Sequence, residues 1–158
     1  MSAGLGIGAL NRLTTLGTTH PASGRAIQSY AFTLGAAGNR TRIVEHVGLP
    51  QERTLDYTYD SLYRLTGETV TESLGPVYSK TFGYDPVGNR LSQATTLGPA
   101  GSPGPHLQPG TIGYGYDADS NRTSRVTSAR SETYAYLAGA LLAAVTMASA
   151  PTETFAYD

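Results

Sequence analysis

Apolar and polar residues alternate along this chain with a period of two, and turn residues interrupt the alternation at regular intervals. Tyr78, Lys80, Phe82 and Tyr84 fall on one face of a strand; Tyr57 with Tyr59, Tyr114 with Tyr116, and Tyr134 with Tyr136 do the same. This is the pattern of half-buried β-strands, and no stretch has the period of a long amphipathic helix. The turns are chemically explicit. In Phe82-Gly83-Tyr84-Asp85-Pro86-Val87-Gly88-Asn89-Arg90-Leu91 the Asp85 side chain can accept backbone N–H groups and Pro86 sets φ. Gly88 then permits a left-handed residue before Arg90 begins the return.

The same unit recurs. Tyr57-Thr58-Tyr59-Asp60-Ser61-Leu62-Tyr63-Arg64-Leu65 carries it with what reads as a turn one residue shorter. Tyr114-Gly115-Tyr116-Asp117-Ala118-Asp119-Ser120-Asn121-Arg122-Thr123 carries it again, and Phe155-Ala156-Tyr157-Asp158 begins a further copy. Weaker copies surround Phe32, Gly38, Asn39 and Arg40, then Tyr134 and Tyr136, then Ile7 to Leu13. The position of Tyr84 thus recurs at 7, 34, 59, 84, 116, 136 and 157, the signature of a repeat architecture. The reading is a single array over residues 1–158: all-β, about six hairpins in one curved antiparallel sheet, with polar turns along one rim.

Between the repeats, 17–24 reads as a loop, 26–47 as a hairpin around Gly38-Asn39, 54–59 as an outgoing strand and 64–74 as its return. Gly75-Pro76 reads as the next turn, followed by strands over 91–97, 112–116, 123–128 and 132–136. Residues 98–110 hold four Pro and four Gly, which no strand or helix tolerates, so they form a loop inserted between hairpins. The apolar run 137–150 is too short to cross a bilayer as a helix; the repeat spacing favours a buried hairpin over a short helix.

Composition narrows the chemistry. A formal charge of −1 gives no basic excess for nucleic acid, and the absence of Cys excludes disulfides and thiolate metal sites. Gly and Thr are abundant and charged residues sparse, as in a turn-rich β protein. The first eight residues show no signal peptide. His20, His46 and His106 are dispersed without ligand spacing, and no nucleophile elbow or phosphate loop occurs, so neither catalysis nor a cofactor or metal is expected. Asn39-Arg40-Thr41 and Asn121-Arg122-Thr123 fit the glycosylation pattern only because the repeat generates it.

Eleven of the fourteen aromatic residues fall in two slots of the repeat: Phe32, Tyr57, Tyr59, Phe82, Tyr84, Tyr114, Tyr116, Tyr134, Tyr136, Phe155 and Tyr157. Such slots form ladders that hold a sheet together, or a stacking platform for sugars or bases. Asp60, Asp85, Asp117 and Asp158 recur with Arg64, Arg90, Arg122, Arg12 and Arg40, which suggests an Asp–Arg ladder along the turn rim. Each exposed pair of that kind contributes about 0–1 kcal/mol, so its role is register.

The segments from Tyr57 and from Phe82 resemble the YD repeats of the Rhs family, and the weaker copies extend the likeness over nearly the whole chain. The family includes bacterial Rhs polymorphic toxins, shell-forming subunits of insecticidal toxin complexes, wall-associated proteins and teneurins. The chain departs from the pattern at Gly8, Gly35 and Leu137, which lack the Asp, and at Tyr63 where Gly is usual. Asp85-Pro86-Val87-Gly88 is also similar to the self-cleaving core that closes some such shells, but Asn89-Arg90 and further repeats follow it. The resemblance implies a non-enzymatic wall segment of a spiral β-shell, in a secreted or surface-exposed bacterial protein far longer than this chain. Its partners are then adjacent repeats of a longer chain or other copies of itself. The alternatives are a self-assembling fibre joined through open sheet edges, or a module that binds glycans. In either assembly the strand over 152–157 meets a neighbour head to tail.

Overall fold

The computed structural model describes residues 2–99, 109–148 and 150–156. Among these the fold is all-β, and one sheet takes thirteen strands in the order of the chain, each bonded to the next. They are β1 Ser2–Ile7, β2 Leu13–Thr19, β3 Ala26–Leu34, β4 Arg40–Glu45, β5 Arg53–Tyr59, β6 Leu65–Glu72 and β7 Gly75–Tyr84. There follow β8 Arg90–Leu97, β9 Gly110–Tyr116, β10 Arg122–Val126, β11 Ser131–Leu137, β12 Leu141–Met147 and β13 Ala150–Thr154. Among the described residues the helical piece is the tip Ala9–Asn11, a single 3-10 turn. Two compact units are distinguishable. The first comprises Met1–Lys80 and Thr96–Leu107, the second Thr81–Thr95 and Gln108–Asp158.

The hairpins share one closure. The residue at each tip position, here called the anchor, pairs across the strands with the residue six further on. Ile7 pairs with Leu13, Leu34 with Arg40, Tyr59 with Leu65, Tyr116 with Arg122, and Tyr136 with Leu142. A register shift lies beside each of these pairs, so every one of these hairpins is bulged at the same place. The residue after the anchor donates its N–H across the turn: Gly8 to Arg12, Gly35 to Asn39, Asp60 to Arg64, Asp85 to Asn89 and Asp117 to Asn121, at 2.8–3.0 Å. The fourth residue after each anchor is left-handed, at Asn11, Gly38, Tyr63, Gly88, Ser120 and Ala140, with φ between 56° and 103°. The turn at Tyr59 is therefore as long as that at Tyr84. The apparent deletion is Arg64 standing where the other turn has Asn89.

Alternation along these strands produces little core. Val70 and Val77 are the buried hydrophobic side chains among the described residues, with Thr95 and Glu132 the buried polar ones, and no side chain is fully enclosed. One face carries the anchors and the aromatics. The other carries small and hydroxylated residues, such as Thr54 opposite Thr71 and Thr58 opposite Gly67, together with the Arg42–Asp56 ion pair. Beside the bulge of four hairpins, one member of the cross-strand pair on that face is glycine and its partner a hydroxyl, while Thr33–Arg42 and Ala135–Ala144 hold the same place in two others. Gly6 faces Thr15, Gly67 faces Thr58, Gly83 faces Ser92 and Gly115 faces Ser124, and a Cβ on any of these glycines would come within 1.9–2.6 Å of that hydroxyl. At these four pairs the facing hydroxyl leaves no room for a second side chain as it stands.

Several sequence expectations shift. Gly17 lies inside β2 opposite Gly4 and Ser29, so that loop is confined to 20–25. The turn expected at Gly75-Pro76 falls at Ser73 and Leu74, because β6 ends at Glu72 and Gly75, with φ 115°, already opens β7. The run 137–150 is a hairpin leg with the turn before it, but not a buried one: Leu137 and Leu141 are exposed. The rim is not uniformly polar either, since Leu10, Leu62, Tyr63 and Val87 stand exposed at the tips. Backbone bonds close these turns, so the tip side chains are free of a structural requirement to be polar. Most of the 98–110 insertion lies outside the described residues.

Substitution at the left-handed position tests the closure. Gly88→Val should destabilise the chain by more than about 1 kcal/mol, since a β-branched residue resists positive φ. Tyr63→Gly should raise the urea midpoint, because it relieves a left-handed non-glycine residue at the loss of an exposed side chain.

Candidate functional site

The recurring polar residues converge on the turns. Asp60 Oδ1 accepts the N–H groups of Leu62 and Arg64, and Oδ2 accepts Arg64 Nε at 2.6 Å. Asp85 Oδ1 accepts Gly88 and Asn89 N–H, and Oδ2 accepts the Asn89 side-chain amide. Asp117 repeats this with Asp119 and Asn121. All three carboxyls are held below the usual range. For Asp60 the main cause is the Arg64 backbone N–H; for Asp117 it is the Asn121 side chain. At Asp85 desolvation is the largest influence and pushes upward, but the bonds from Asn89 and Gly88 together outweigh it.

Of the expected Asp–Arg ladder, the described residues show the ion pair Asp60–Arg64. At the other two turns asparagine holds the place facing the carboxylate, which leaves Arg90 and Arg122 one residue further on and on the aromatic face. There the guanidinium lies over rings: Arg40 over Phe32 at 5.2 Å, Arg90 over Phe82 and Tyr114 at 5.8 and 4.9 Å, and Arg122 over Tyr134 at 4.6 Å. Arg90 also donates to the Tyr114 hydroxyl. Arg12 takes a third course and donates to the carbonyls of Gly35 and Ala36 in the next turn, beside Gly38. Asn39 fills the space that a side chain at Gly35 would need.

The anchor tyrosines join one hairpin to the next. Tyr59 donates its hydroxyl to the Arg40 carbonyl at 2.7 Å, Tyr116 to that of Arg90 at 3.1 Å, and Tyr136 to that of Arg122 at 2.9 Å. In each case the acceptor is the sixth residue after the anchor of the preceding hairpin. Asn89 adds a bond from its turn to Ser120 in the following one. Tyr84 and Tyr57 are half-buried on the same face, the latter opposite Glu68. Phe155 is exposed just past β13, where its N–H still reaches the Ala143 carbonyl. Tyr157 and Asp158 lie outside the described residues.

Three acidic groups on this face were not singled out in the sequence. Glu132 is buried, accepts the Tyr134 hydroxyl at 2.6 Å, and faces Arg125 and Arg130 at 3.4 and 3.0 Å. Its carboxyl is held low chiefly by the Tyr134 bond. Glu68 accepts Tyr78 at 2.8 Å and pairs with Lys80 at 3.4 Å, while burial and that bond drive the Tyr78 phenol upward. Glu45 bonds Arg53. They could have been inferred from cross-strand positions, since Glu68 opposes Tyr57 and Glu132 opposes Arg125, but they recur at no fixed repeat position. Among the described residues no three His, Cys, Asp or Glu side chains form a metal-binding group, and no helix is long and apolar enough to cross a membrane. Every buried side-chain polar atom among them has a partner. The arrangement ties a tyrosine side chain of one hairpin to the backbone of the hairpin before it.

Two outcomes follow from these contacts. Tyr59→Phe, Tyr116→Phe and Tyr136→Phe should each cost about 0.5–1.5 kcal/mol in urea unfolding. Tyr63→Phe should cost nothing, its ring being exposed. The aspartates set an acid limit. Because their folded pKa values lie below the unfolded value of about 3.9, their contribution is present above that pH and is lost as pH falls through the folded values. The melting temperature should therefore drop below about pH 4, and Asp85→Asn with Asp117→Asn should flatten that drop.

No family model matches the chain, and no curated protein does. Solved structures match it by fold. It is similar to a chain in the structure of the Photorhabdus luminescens Tc holotoxin pore with the mutation TccC3-D651A, with TM-score 0.57 and 18% identity over 91% of this chain. It is also similar to a chain in the crystal structure of TcdB2-TccC3-TEV, with TM-score 0.61 and 16% identity over 92% of this chain. The chain spans 9% of the length of each. At these identities the likeness is one of fold: this open antiparallel sheet recurs as a part of toxin chains roughly ten times longer.

Proposed function

We propose that the chain is a non-enzymatic structural segment, a stretch of the wall of an Rhs-type β-shell belonging to a secreted or surface-exposed bacterial protein. One array runs over residues 1–158, and the repeated Tyr, Asp, Asn and Arg residues are its framework. The observation that carries this reading is the hydroxyl-to-carbonyl bond of Tyr59, Tyr116 and Tyr136, which uses the most regular side chain of the repeat to fix three hairpins each to the one before it. Contacts of this kind between consecutive units are what stabilises a repeat array. The fold shared with parts of the two toxin structures supports the same reading. Adjacent hairpins of a longer chain, or other copies of this one, are the partners. Glycan binding is less well supported, because the repeat rings within the sheet are half-buried and several are engaged by arginine or backbone.

A wall segment tolerates change in the number of its units. Duplicating residues 40–64 in tandem inserts one period, since anchors 34, 59 and 84 are 25 apart, and leaves every tyrosine facing its acceptor. The lengthened chain should stay soluble, gain β-sheet circular dichroism in proportion, and unfold at a higher urea concentration than the parent. Loss of folded protein on duplication would overturn the wall reading.

A further inference from the structure

We propose that the loop over residues 20–25, which joins β2 to β3, binds a tetrahedral oxyanion through Arg25, His20 and Ser23. The anion is the phosphate or sulfate group of a small ester. The loop lies within the first compact unit, at the end of β2 and β3 away from the anchor turns. The register that sets Thr19 opposite Ala26 continues to the next pair, where the His20 N–H reaches the Arg25 carbonyl at 2.9 Å. His20 and Arg25 therefore face each other at the base of the loop. Gly24, left-handed with φ 65°, donates its N–H to the His20 carbonyl at 2.8 Å and turns the chain back. Ser23 Oγ lies 3.2 Å from His20 Nδ1 and accepts the Arg25 N–H at 3.4 Å. An open hollow of about 480 Å³ is lined by His20, Ser23, Arg25, Ala26 and Ile27.

The charge of Arg25 is what sets this loop apart. Elsewhere the cationic side chains are engaged by a carboxylate, a ring or a backbone carbonyl, as in Arg42 with Asp56, Arg40 over Phe32 and Arg12 to Gly35. Of the eleven Lys and Arg side chains, Arg25 alone has none of these partners among the described residues. No carboxylate is close in sequence to supply one. Residues 1–44 contain four arginines and no Asp or Glu, although the chain as a whole has a formal charge of −1. The strands that the loop joins, β2 and β3, are free of acidic residues. An anion approaching this loop is attracted by an uncompensated guanidinium and meets no local negative charge.

The donors match the geometry of the anion. A guanidinium gives two parallel N–H bonds to a phosphate or sulfate group. The Ser23–His20 contact keeps a further donor available in either neutral tautomer. When Ser23 donates to Nδ1, the proton of the ring sits on Nε2; when Nδ1–H donates to Ser23, the hydroxyl hydrogen is left over. Donors from three side chains exceed what the two oxygens of a planar carboxylate accept, but suit the three terminal oxygens of a monoester. Ile27 is exposed and forms an apolar wall of the hollow with Ala26, against which the organic part of the ester can lie. Neither the wall reading nor its alternatives enter this inference.

Magnetic resonance titrations of the isotopically labelled full chain with glucose 6-phosphate, glucose 6-sulfate and glucose test the site. The amide signals of residues 20–27 should shift saturably with at least one of the two esters and not with glucose, and the tighter ester identifies the anion. Arg25→Gln should weaken that binding about tenfold, the loss expected for a charge-assisted bond, with circular dichroism unchanged. Ser23→Ala should weaken it less. Arg42→Gln removes the same charge from the ion pair with Asp56 and should leave the binding as it was. No saturable shift with either ester, equal shifts with glucose, or equal losses in Arg25→Gln and Arg42→Gln would overturn the proposal. Duplication of residues 40–64 leaves this loop untouched, so failure of either experiment leaves the other reading standing.

Discussion

A sheet with so little buried core has to find its stability between neighbouring strands. Here the decisive contact is the anchor tyrosine, whose ring covers the aromatic face while its hydroxyl reaches a carbonyl in the hairpin before it. The acceptor is always the residue that closes the preceding turn, so a turn that opens loses the bond to its successor. Turn geometry and sheet propagation are thereby one constraint. The arginines over the rings reinforce it from the same side, Arg90 over Tyr114 and Arg122 over Tyr134 between hairpins, Arg40 over Phe32 and Arg90 over Phe82 within one.

The turns show how a fixed backbone accommodates unlike side chains. Asp60 is satisfied by arginine, Asp85 and Asp117 by asparagine, and where Gly35 replaces the aspartate, Asn39 folds into the vacant volume. All keep the same cross-turn backbone bond. The carboxylate is a reinforcement added to a closure that exists without it.

The class of fold was legible in the sequence because alternation and turn residues act locally, within a few residues of one another. The partners of the arginines were not. Arg64 and Arg90 look equivalent in a linear reading, but one residue of offset sends the first to a carboxylate and the second to two rings on the opposite side of a bulge. The turn at Ser73 and Leu74 was also hidden, since Gly75 and Pro76 look like its centre until strand ends are known. Glu132 and Glu68 escaped notice because their partners lie across the sheet at distances that depend on register.

The glycine and hydroxyl that face each other beside the bulge bear on how such a chain changes over time. Thr58 lies before its turn and Gly67 after, while Gly83 lies before and Ser92 after. At these pairs the glycine stands on either strand, and the hydroxyl on the other. A mutation that adds a methyl group at one of these glycines therefore calls for a loss or a shift on the facing strand. Hairpins of either polarity can then sit in one sheet, as those of Gly6 and Gly67 do.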